Sequence, residues 1–387
     1  MEEKKKERIL ALDVLRGLTV AGMILVNNPG SWGKIYAPLR HAEWNGLTPT
    51  DFVFPFFMFI MGVSMFISLK KYKFQPLVGT FQKILRRTIG IYFVGFLIGW
   101  FAHFCRYWHH ADAELSFLGQ LAEAAWNIPT MRITGVLARL AVCYGIAAFI
   151  AVCVKHKHLP YIIVSLLALY LLILLLGDGF NYGPDNVLSI VDRTILTEAH
   201  MYKDNGIDPE GLLSTIPSVA HVLIGFLVGR LLFGGEKGKP LPLLQLFIVG
   251  ALLTFAGLLL QYGCPLNKKV WSPTFVLATC GMGSLLLGLL IYFIDIKGHR
   301  RGTSFFETFG VNPLFVFFVS DILAILLGSI RILWEDSSIT LHGLAYSNAL
   351  VPIFGSYGGS LAFALLFIIL NWAIAYPLYK KRIYIKL

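Results

Sequence analysis

His41 lies in a polar run, Arg40–Asp51 (RHAEWNGLTPTD), just before a long apolar stretch. An imidazole titrates near neutral pH, so it can take a proton from a reacting group or attack as a nucleophile. Asp51 can orient the ring through its other nitrogen, and Asn27 can donate a hydrogen bond to a developing oxyanion. The predicted catalytic residues are therefore His41, Asn27 and Asp51. Asn27 and Asp51 also suit helix ends as caps, and for Asp51 this is the stronger interpretation.

Charged residues inside apolar segments mark either binding sites or internal pairs, because an isolated charge in lipid is costly. Asp13 and Arg16 are three residues apart and so share a helix face, which predicts an ion pair. Arg16 could instead meet an anionic ligand that enters from the cytoplasm. Arg132 and Arg139, seven residues apart, also lie roughly on one face. Their partners are either an anionic ligand or acidic residues on a neighbouring helix.

Basic clusters flank several apolar segments. The excess of basic residues on the cytoplasmic side of membrane proteins fully explains them. The alternative is that they bind the phosphates of a nucleotide cofactor. The clusters consist of Lys83, Arg86, Arg87, Arg300 and Arg301. The predicted cofactor-binding residues are Arg16, Arg86, Arg87 and Arg139.

Histidines crowd the end of the third apolar segment without a familiar metal-ligand spacing. They lie among His103, Cys105, His109, His110 and Asp112. We predict no metal site here, and the five cysteines, which include no Cys-x-x-Cys pair, predict no disulfide or zinc framework.

The composition predicts an all-α, polytopic membrane helical bundle. The 387 residues are 56% hydrophobic and only 14% charged, whereas soluble domains carry about 25% charged residues. Segments of about 20 apolar residues can each cross a bilayer as a helix. One transmembrane domain is expected over 1–387, with about ten spans. The predicted spans are 10–28, 51–69, 85–104, 133–154, 159–177, 214–233, 242–262, 272–295, 305–329 and 358–379.

The loop charges predict the orientation. With ten spans, 22 basic residues fall on the side of the termini and 9 on the other side. Both termini are therefore expected in the cytoplasm, with His41 facing outward. The net charge of +11 is explained by this topology, and no nucleic-acid partner is expected. The outward loops would be 105–132, 178–213 and 330–357. The 178–213 loop, rich in acidic, glycine and proline residues, is either a lid or binding loop or a solvated connector.

Several runs of residues together resemble a known family. They are Leu12–Gly17 (LDVLRG), Val26-Asn27, His41–Thr48 (HAEWNGLT), Asp51–Pro55 (DFVFP), Phe59–Gly62 (FIMG), Arg132–Leu140 (RITGVLARL), Asp208–Leu213 (DPEGLL) and Pro265–Ser272 (PLNKKVWS). These runs are similar to those of the heparan-α-glucosaminide N-acetyltransferase family, and the resemblance covers nearly the whole chain.

The resemblance implies a membrane enzyme that acetylates a terminal glucosamine with acetyl-CoA. His41 matches the family's catalytic histidine and Asn27 its active-site asparagine. Acetyl-CoA would enter from the cytoplasm and meet an amino sugar or glycan end on the far side. The large extracytoplasmic N-terminal domain of the animal enzyme has no counterpart, so we expect a bacterial inner-membrane member. The residues predicted to bind the acceptor are Glu43, Trp44, Asn45, Arg132 and Asn267.

The sequence leaves the chemistry partly open. His41 could act as a general base for direct transfer, or it could carry the acetyl group itself. A glycan O-acetyltransferase would share the outward histidine. A transporter of a glycan, a lipid-linked sugar or an anion would suit Arg16, Arg139 and Asp321, which lie inside spans. A homodimer is also plausible for such a bundle.

Overall fold

A computed structural model describes residues 9–108, 115–126, 128–202, 204–235, 242–334 and 337–385, and these ranges are mostly helical. The helices are α1 (Leu10–Asn27), α2 (Val53–Lys70), α3 (Val78–Trp108), α4 (Phe117–Trp126), α5 (Val136–Cys153), α6 (Leu159–Leu176), α7 (Val187–Leu196), α8 (Thr215–Phe233), α9 (Leu243–Leu260), α10 (Pro273–Leu290), α11 (Thr303–Val311), α12 (Pro313–Ser329), α13 (Leu341–Gly343) and α14 (Val351–Lys380). The strands β1 (Arg331–Trp334) and β2 (Ser337–Thr340) form an antiparallel hairpin. The predicted helical bundle is confirmed.

Nine helices in the described ranges are long and apolar enough to cross a membrane, and a tenth crossing is possible if α11 and α12 together form one span. The first eight predicted spans coincide with α1, α2, α3, α5, α6, α8, α9 and α10 to within a few residues, except that α3 is longer at both ends. Uninterrupted apolar runs specify these helices, since only internally hydrogen-bonded backbone is stable in lipid.

The structure corrects the prediction near the C-terminus. The ninth predicted span, 305–329, is two helices that meet at an angle of 86°. Pro313 begins the second helix, and a proline cannot continue the backbone hydrogen bonds of a preceding helix. The predicted loop 330–357 is also wrong, because it contains the β1–β2 hairpin and a helical segment that starts at Leu341. This segment bends at Gly355, which has a φ of 69°.

Glycines allow the central helices to touch backbone to backbone. A Cβ atom on Gly62 of α2 would lie 2.2 Å from the carbonyl oxygen of Val222, and one on Gly225 of α8 would lie 2.2 Å from that of Phe59. α1 and α11 cross in the same way at Gly17 and Gly310. Small residues at helix crossings are typical of membrane bundles, where close packing replaces the hydrophobic effect.

Both ends of the described chain lie at one end of the bundle. The backbone N–H of Leu10 donates to Asp295 Oδ1 over 3.0 Å, and the side-chain amide of Asn312 donates to the carbonyl of Ile383 over 2.8 Å. We call the other end, where α1 ends and α2 begins, the His41 end.

Three segments meet at the His41 end. Trp44 Nε1 donates to the carbonyl of Phe180 over 2.8 Å, and the N–H of Gly46 donates to the carbonyl of Leu266 over 2.8 Å. The segment 178–213 is no solvated connector, because it contains α7 and packs Leu188 fully into the protein. Its role as a lid or binding loop stays a prediction.

Candidate active site

Asp51 serves two purposes at once. It lies in a 3-10 turn, Pro49–Phe52, whose N-cap is Thr48. Asp51 Oδ2 accepts hydrogen bonds from the N–H groups of Ala42 and Thr48, both at 3.1 Å. Asp51 Oδ1 lies 2.6 Å from Nδ1 of His41. One carboxylate oxygen therefore caps the helix start and the other orients the imidazole, so the two interpretations of Asp51 do not compete.

The imidazole of His41 is fixed at one edge and open at the other. Its side chain is 44% exposed, whereas that of Asp51 is 1% exposed. A carboxylate that is buried beside Nδ1 favours the tautomer that carries the proton on Nδ1, as judged from the hydrogen bonding. Nε2 then carries the lone pair of the ring, which can accept a proton. This geometry suits a general base or a nucleophile.

Lys268 completes this cluster and was missed in the sequence analysis. Its Nζ lies 3.0 Å from Nδ1 and 3.5 Å from Nε2 of His41, and 3.5 Å from Asp51 Oδ1. Burial lowers the pKa of Lys268, although the charges of Asp51 and Glu210 act in the opposite direction. The signal in the sequence is the lysine pair of the run PLNKKVWS, in which Asn267 is the predicted site residue.

Asn267 holds the segment that delivers Lys268. Asn267 is fully buried, accepts a hydrogen bond from the N–H of Val270 over 3.0 Å and donates to Asn45 Oδ1 over 3.1 Å. Two of the residues predicted to bind the acceptor thus bind each other. Glu43 is exposed. The role of Glu43, Asn45 and Asn267 in binding the acceptor stays a prediction.

The Trp44 ring packs against Tyr182 with a centroid separation of 4.8 Å. Since its indole N–H donates to Phe180, Trp44 ties the His41 run to the 178–213 segment. Its role in binding the acceptor stays a prediction.

Asn27 lines two cavities. One cavity, of about 260 Å³, lies between α3, α5 and α12 and is also lined by Arg132 and Asp321. The other, of about 150 Å³, includes His342 and Trp32. No hydrogen bond joins Asn27 to His41 or Asp51 in the described structure. Its role at an oxyanion stays a prediction.

Arg132 forms a closed network with the 178–213 segment. Its Nη2 donates to Asp208 Oδ1 over 2.6 Å and to Glu210 Oε2 over 2.7 Å. Burial alone would raise the pKa of Asp208, but the Arg132 charge and hydrogen bonds hold it below its ordinary value. The same two carboxylates raise the pKa of Arg132, against the effect of burial. Acidic partners are thus present, on a loop rather than a helix.

Arg139 is buried and nearly saturated by oxygen atoms. Nη1 donates to Ser218 Oγ over 2.8 Å, and Nη2 donates to the carbonyl of Gly211 over 2.7 Å and to Ser214 Oγ over 2.6 Å. These acceptors lie just before α8 or in its first turn. The contacts favour a structural role for Arg139 over the predicted cofactor binding.

The remaining predicted cofactor residues lie toward the opposite end. Arg16 pairs with Asp13 at 3.1 Å, which confirms the ion pair, and donates to Ser64 Oγ over 2.8 Å. Arg87 lies over the Tyr144 ring, 4.7 Å from its centroid. Arg86 is exposed. Their contact with phosphates stays a prediction.

The histidine-rich segment lies partly outside the described residues. His109, His110 and Asp112 fall there, while His103 Nε2 lies 3.3 Å from Thr130 Oγ1. In the ranges that the structure does describe, no three His, Cys, Asp or Glu side chains are grouped to hold a metal ion.

The fold and the cluster define a polytopic helical membrane protein with a histidine, a carboxylate and a lysine grouped at one end of its bundle. No family model matches the chain. Among curated proteins it resembles human heparan-alpha-glucosaminide N-acetyltransferase, with 27% identity over 371 residues, which are 80% of this chain and 52% of the human protein. The mouse protein of the same name is 25% identical over 376 residues, 82% of this chain and 54% of the mouse protein. The predicted family resemblance is confirmed, and the chain spans about half the length of these relatives.

Proposed function

We propose that the protein is a membrane acetyltransferase that transfers an acetyl group from acetyl-CoA to the amine of an amino sugar or glycan end. The single observation that carries the proposal is the 2.6 Å contact between His41 and the buried Asp51. It orients an imidazole whose Nε2 carries the lone pair of the ring, which is the arrangement that a general base needs. The names of the two relatives supply the reaction type and the class of acceptor.

The reaction requires one bond exchange and two proton transfers. The neutral amine nitrogen attacks the thioester carbonyl carbon, and Nε2 of His41 accepts the proton from that nitrogen. The carbon–sulfur bond then breaks, and the CoA thiolate takes the proton from His41. Asn27 is proposed to donate to the oxyanion of the tetrahedral intermediate. Arg86 and Arg87 are proposed to hold the CoA phosphates.

The proposed topology places both termini in the cytoplasm and the His41 end outside, in a bacterial inner membrane. The excess of basic residues on the side of the termini supports this orientation. The same-end location of Leu10 and Ile383 is consistent with it. Acetyl groups would then cross from cytoplasmic acetyl-CoA to an acceptor on the other side.

Release of free CoA thiol from acetyl-CoA on addition of glucosamine tests the proposal on the purified protein. Thiol release that depends on the amine is expected, with an amide as the product. A base-labile ester product would instead indicate O-acetylation. Transport of glucosamine into vesicles without any thiol release would contradict the proposal. Radiolabel retained on His41 after mixing with acetyl-CoA alone would identify an acetyl-histidine route in place of direct transfer.

A further inference from the structure

The 260 Å³ cavity beside Asn27 contains a carboxylate without a partner. Asp321 lies in the ninth position of α12, about 12 Å along the helix from its last residue. Its carboxyl group faces the cavity and makes no hydrogen bond or ion pair with another side chain in the described ranges. Ionisable residues within a membrane helix are expensive, so an unpaired one is a functional candidate.

The ionisable group of the cavity that lacks a partner is an acid. Arg132 also lines it, but its guanidinium is already balanced by Asp208 and Glu210. Three aromatic residues, Tyr92, Phe96 and Phe317, are among the other lining residues. Aromatic rings and a carboxyl group without a partner both favour a cationic ligand.

The cavity also offers donors for hydroxyl groups. α5 begins in its wall at Val136, and no side chain caps the free N–H groups of its first turn. A volume of about 260 Å³ lies just below the ~300–1,000 Å³ typical of small-molecule sites. A carboxylate at one side and backbone donors at another match a small molecule that carries both an amine and hydroxyl groups.

We infer that this cavity binds the cationic form of an amino sugar, with Asp321 as the counter-ion of its ammonium group. The inference rests on the proposed function, because the bound amino sugar is the acceptor of the acetyl group. Glu210 links the two places, because it accepts a hydrogen bond from Arg132 in the cavity wall and acts electrostatically on Lys268 beside His41. The ammonium must lose a proton before it attacks, so the cavity would hold the acceptor before the reaction.

The test compares Asp321→Asn with the matched control Asp185→Asn, which removes an exposed carboxylate outside the cavity. The first readout is thermal stabilisation of the purified protein by glucosamine, with glucose and N-acetylglucosamine as neutral controls. Of the three sugars, only glucosamine should stabilise the wild-type protein. Binding should weaken at least 10-fold in Asp321→Asn and stay unchanged in Asp185→Asn. Asp321→Glu should retain most of the binding, since the charge is kept.

The melting temperature and the KM values of Asp321→Asn complete the test. Removal of a lone carboxylate from a membrane helix should not lower the melting temperature, so Asp321→Asn is expected to fold. In turnover, the KM for glucosamine should rise at least 10-fold while the KM for acetyl-CoA stays constant. Equal glucosamine binding by wild type and Asp321→Asn would overturn the inference, even if thiol release supports the enzyme. Binding that depends on Asp321 without thiol release would support the cavity while the proposed activity fails.

Discussion

The His41 end contains two charged clusters that differ in how completely they are satisfied. In the cluster of His41, Asp51 and Lys268, the imidazole is nearly half exposed, and its Nε2 meets Lys268 only at 3.5 Å. In the network of Arg132 and Arg139, carboxylates, carbonyls and hydroxyls occupy the guanidinium groups. The same types of charged residue thus hold loops together in one place and leave capacity for chemistry in the other.

The largest effect is expected at the open cluster. His41→Ala should lower acetyl transfer by about 10²–10⁴-fold, because the general base is lost. The melting temperature should hardly change, since Asp51 keeps its contacts with Ala42 and Thr48. Thiol release and thermal unfolding measure the two effects, and the exposed His299→Ala is the control. Full activity of His41→Ala would remove the distinction between the clusters.

The network of Arg132 and Arg139 should respond in the opposite way, with a loss of stability. Arg139→Met deprives Gly211, Ser214 and Ser218 of a buried donor, so the free energy of unfolding should fall by about 3–5 kcal/mol. Replacement of the exposed Arg300 by Met should change it little. Denaturant unfolding in detergent provides the comparison. A stable Arg139→Met variant that fails only to bind acetyl-CoA would instead support the predicted cofactor role.

Asp192 lies beside the network of Arg132 and Arg139. Its Oδ2 is buried and has no hydrogen-bond partner in the described structure. Burial, reinforced by the charge of Asp208, raises the pKa of Asp192 to about 6. The folded protein therefore keeps a proton that the unfolded chain releases, and stability falls as the pH rises from about 4 to about 6. Asp192→Asn keeps an acceptor for the N–H of Leu212 and should be more stable at pH 8 by about 2 kcal/mol.

The pH series separates this effect from a general stabilisation. The advantage of Asp192→Asn over wild type should disappear below pH 4. An advantage of the same size at pH 4 and pH 8 would show that the carboxyl group is not protonated in the folded state.

The smallest effect is expected at Lys268. Lys268 Nζ lies 3.0 Å from Nδ1 of His41 and 3.5 Å from Asp51 Oδ1, so it helps to hold the ring and the carboxylate in place. Lys268→Gln should therefore lower the rate of acetyl transfer several-fold at neutral pH. Lys269→Gln carries the same change in net charge but breaks a pair with Asp204 instead, and it should leave the rate unchanged. A loss of equal size in both variants would point to a long-range charge effect.

The helices were predictable because their signal is local. Each long apolar run fixes one span, and charges such as Asp13 and Arg16 three residues apart pair on one helix face. The prediction failed at 305–357, where a single Asn312-Pro313 step divides one apolar segment and a hairpin follows. Apolar residues continue on both sides of that step, so composition alone could not detect the bend of 86°.

The candidate site also combines contacts between residues close in sequence with contacts between distant segments. The sequence by itself determined a membrane bundle, the relation to the N-acetyltransferases and the pairing of His41 with the nearby Asp51, because these depend on composition or on residues ten positions apart. Only the tertiary structure decided that Lys268 joins them from 227 positions away, that Arg132 is balanced by Asp208 and Glu210, and that Asp321 faces a cavity. Contacts between distant segments arise from the packing of helices and loops, which no local spacing in the chain specifies.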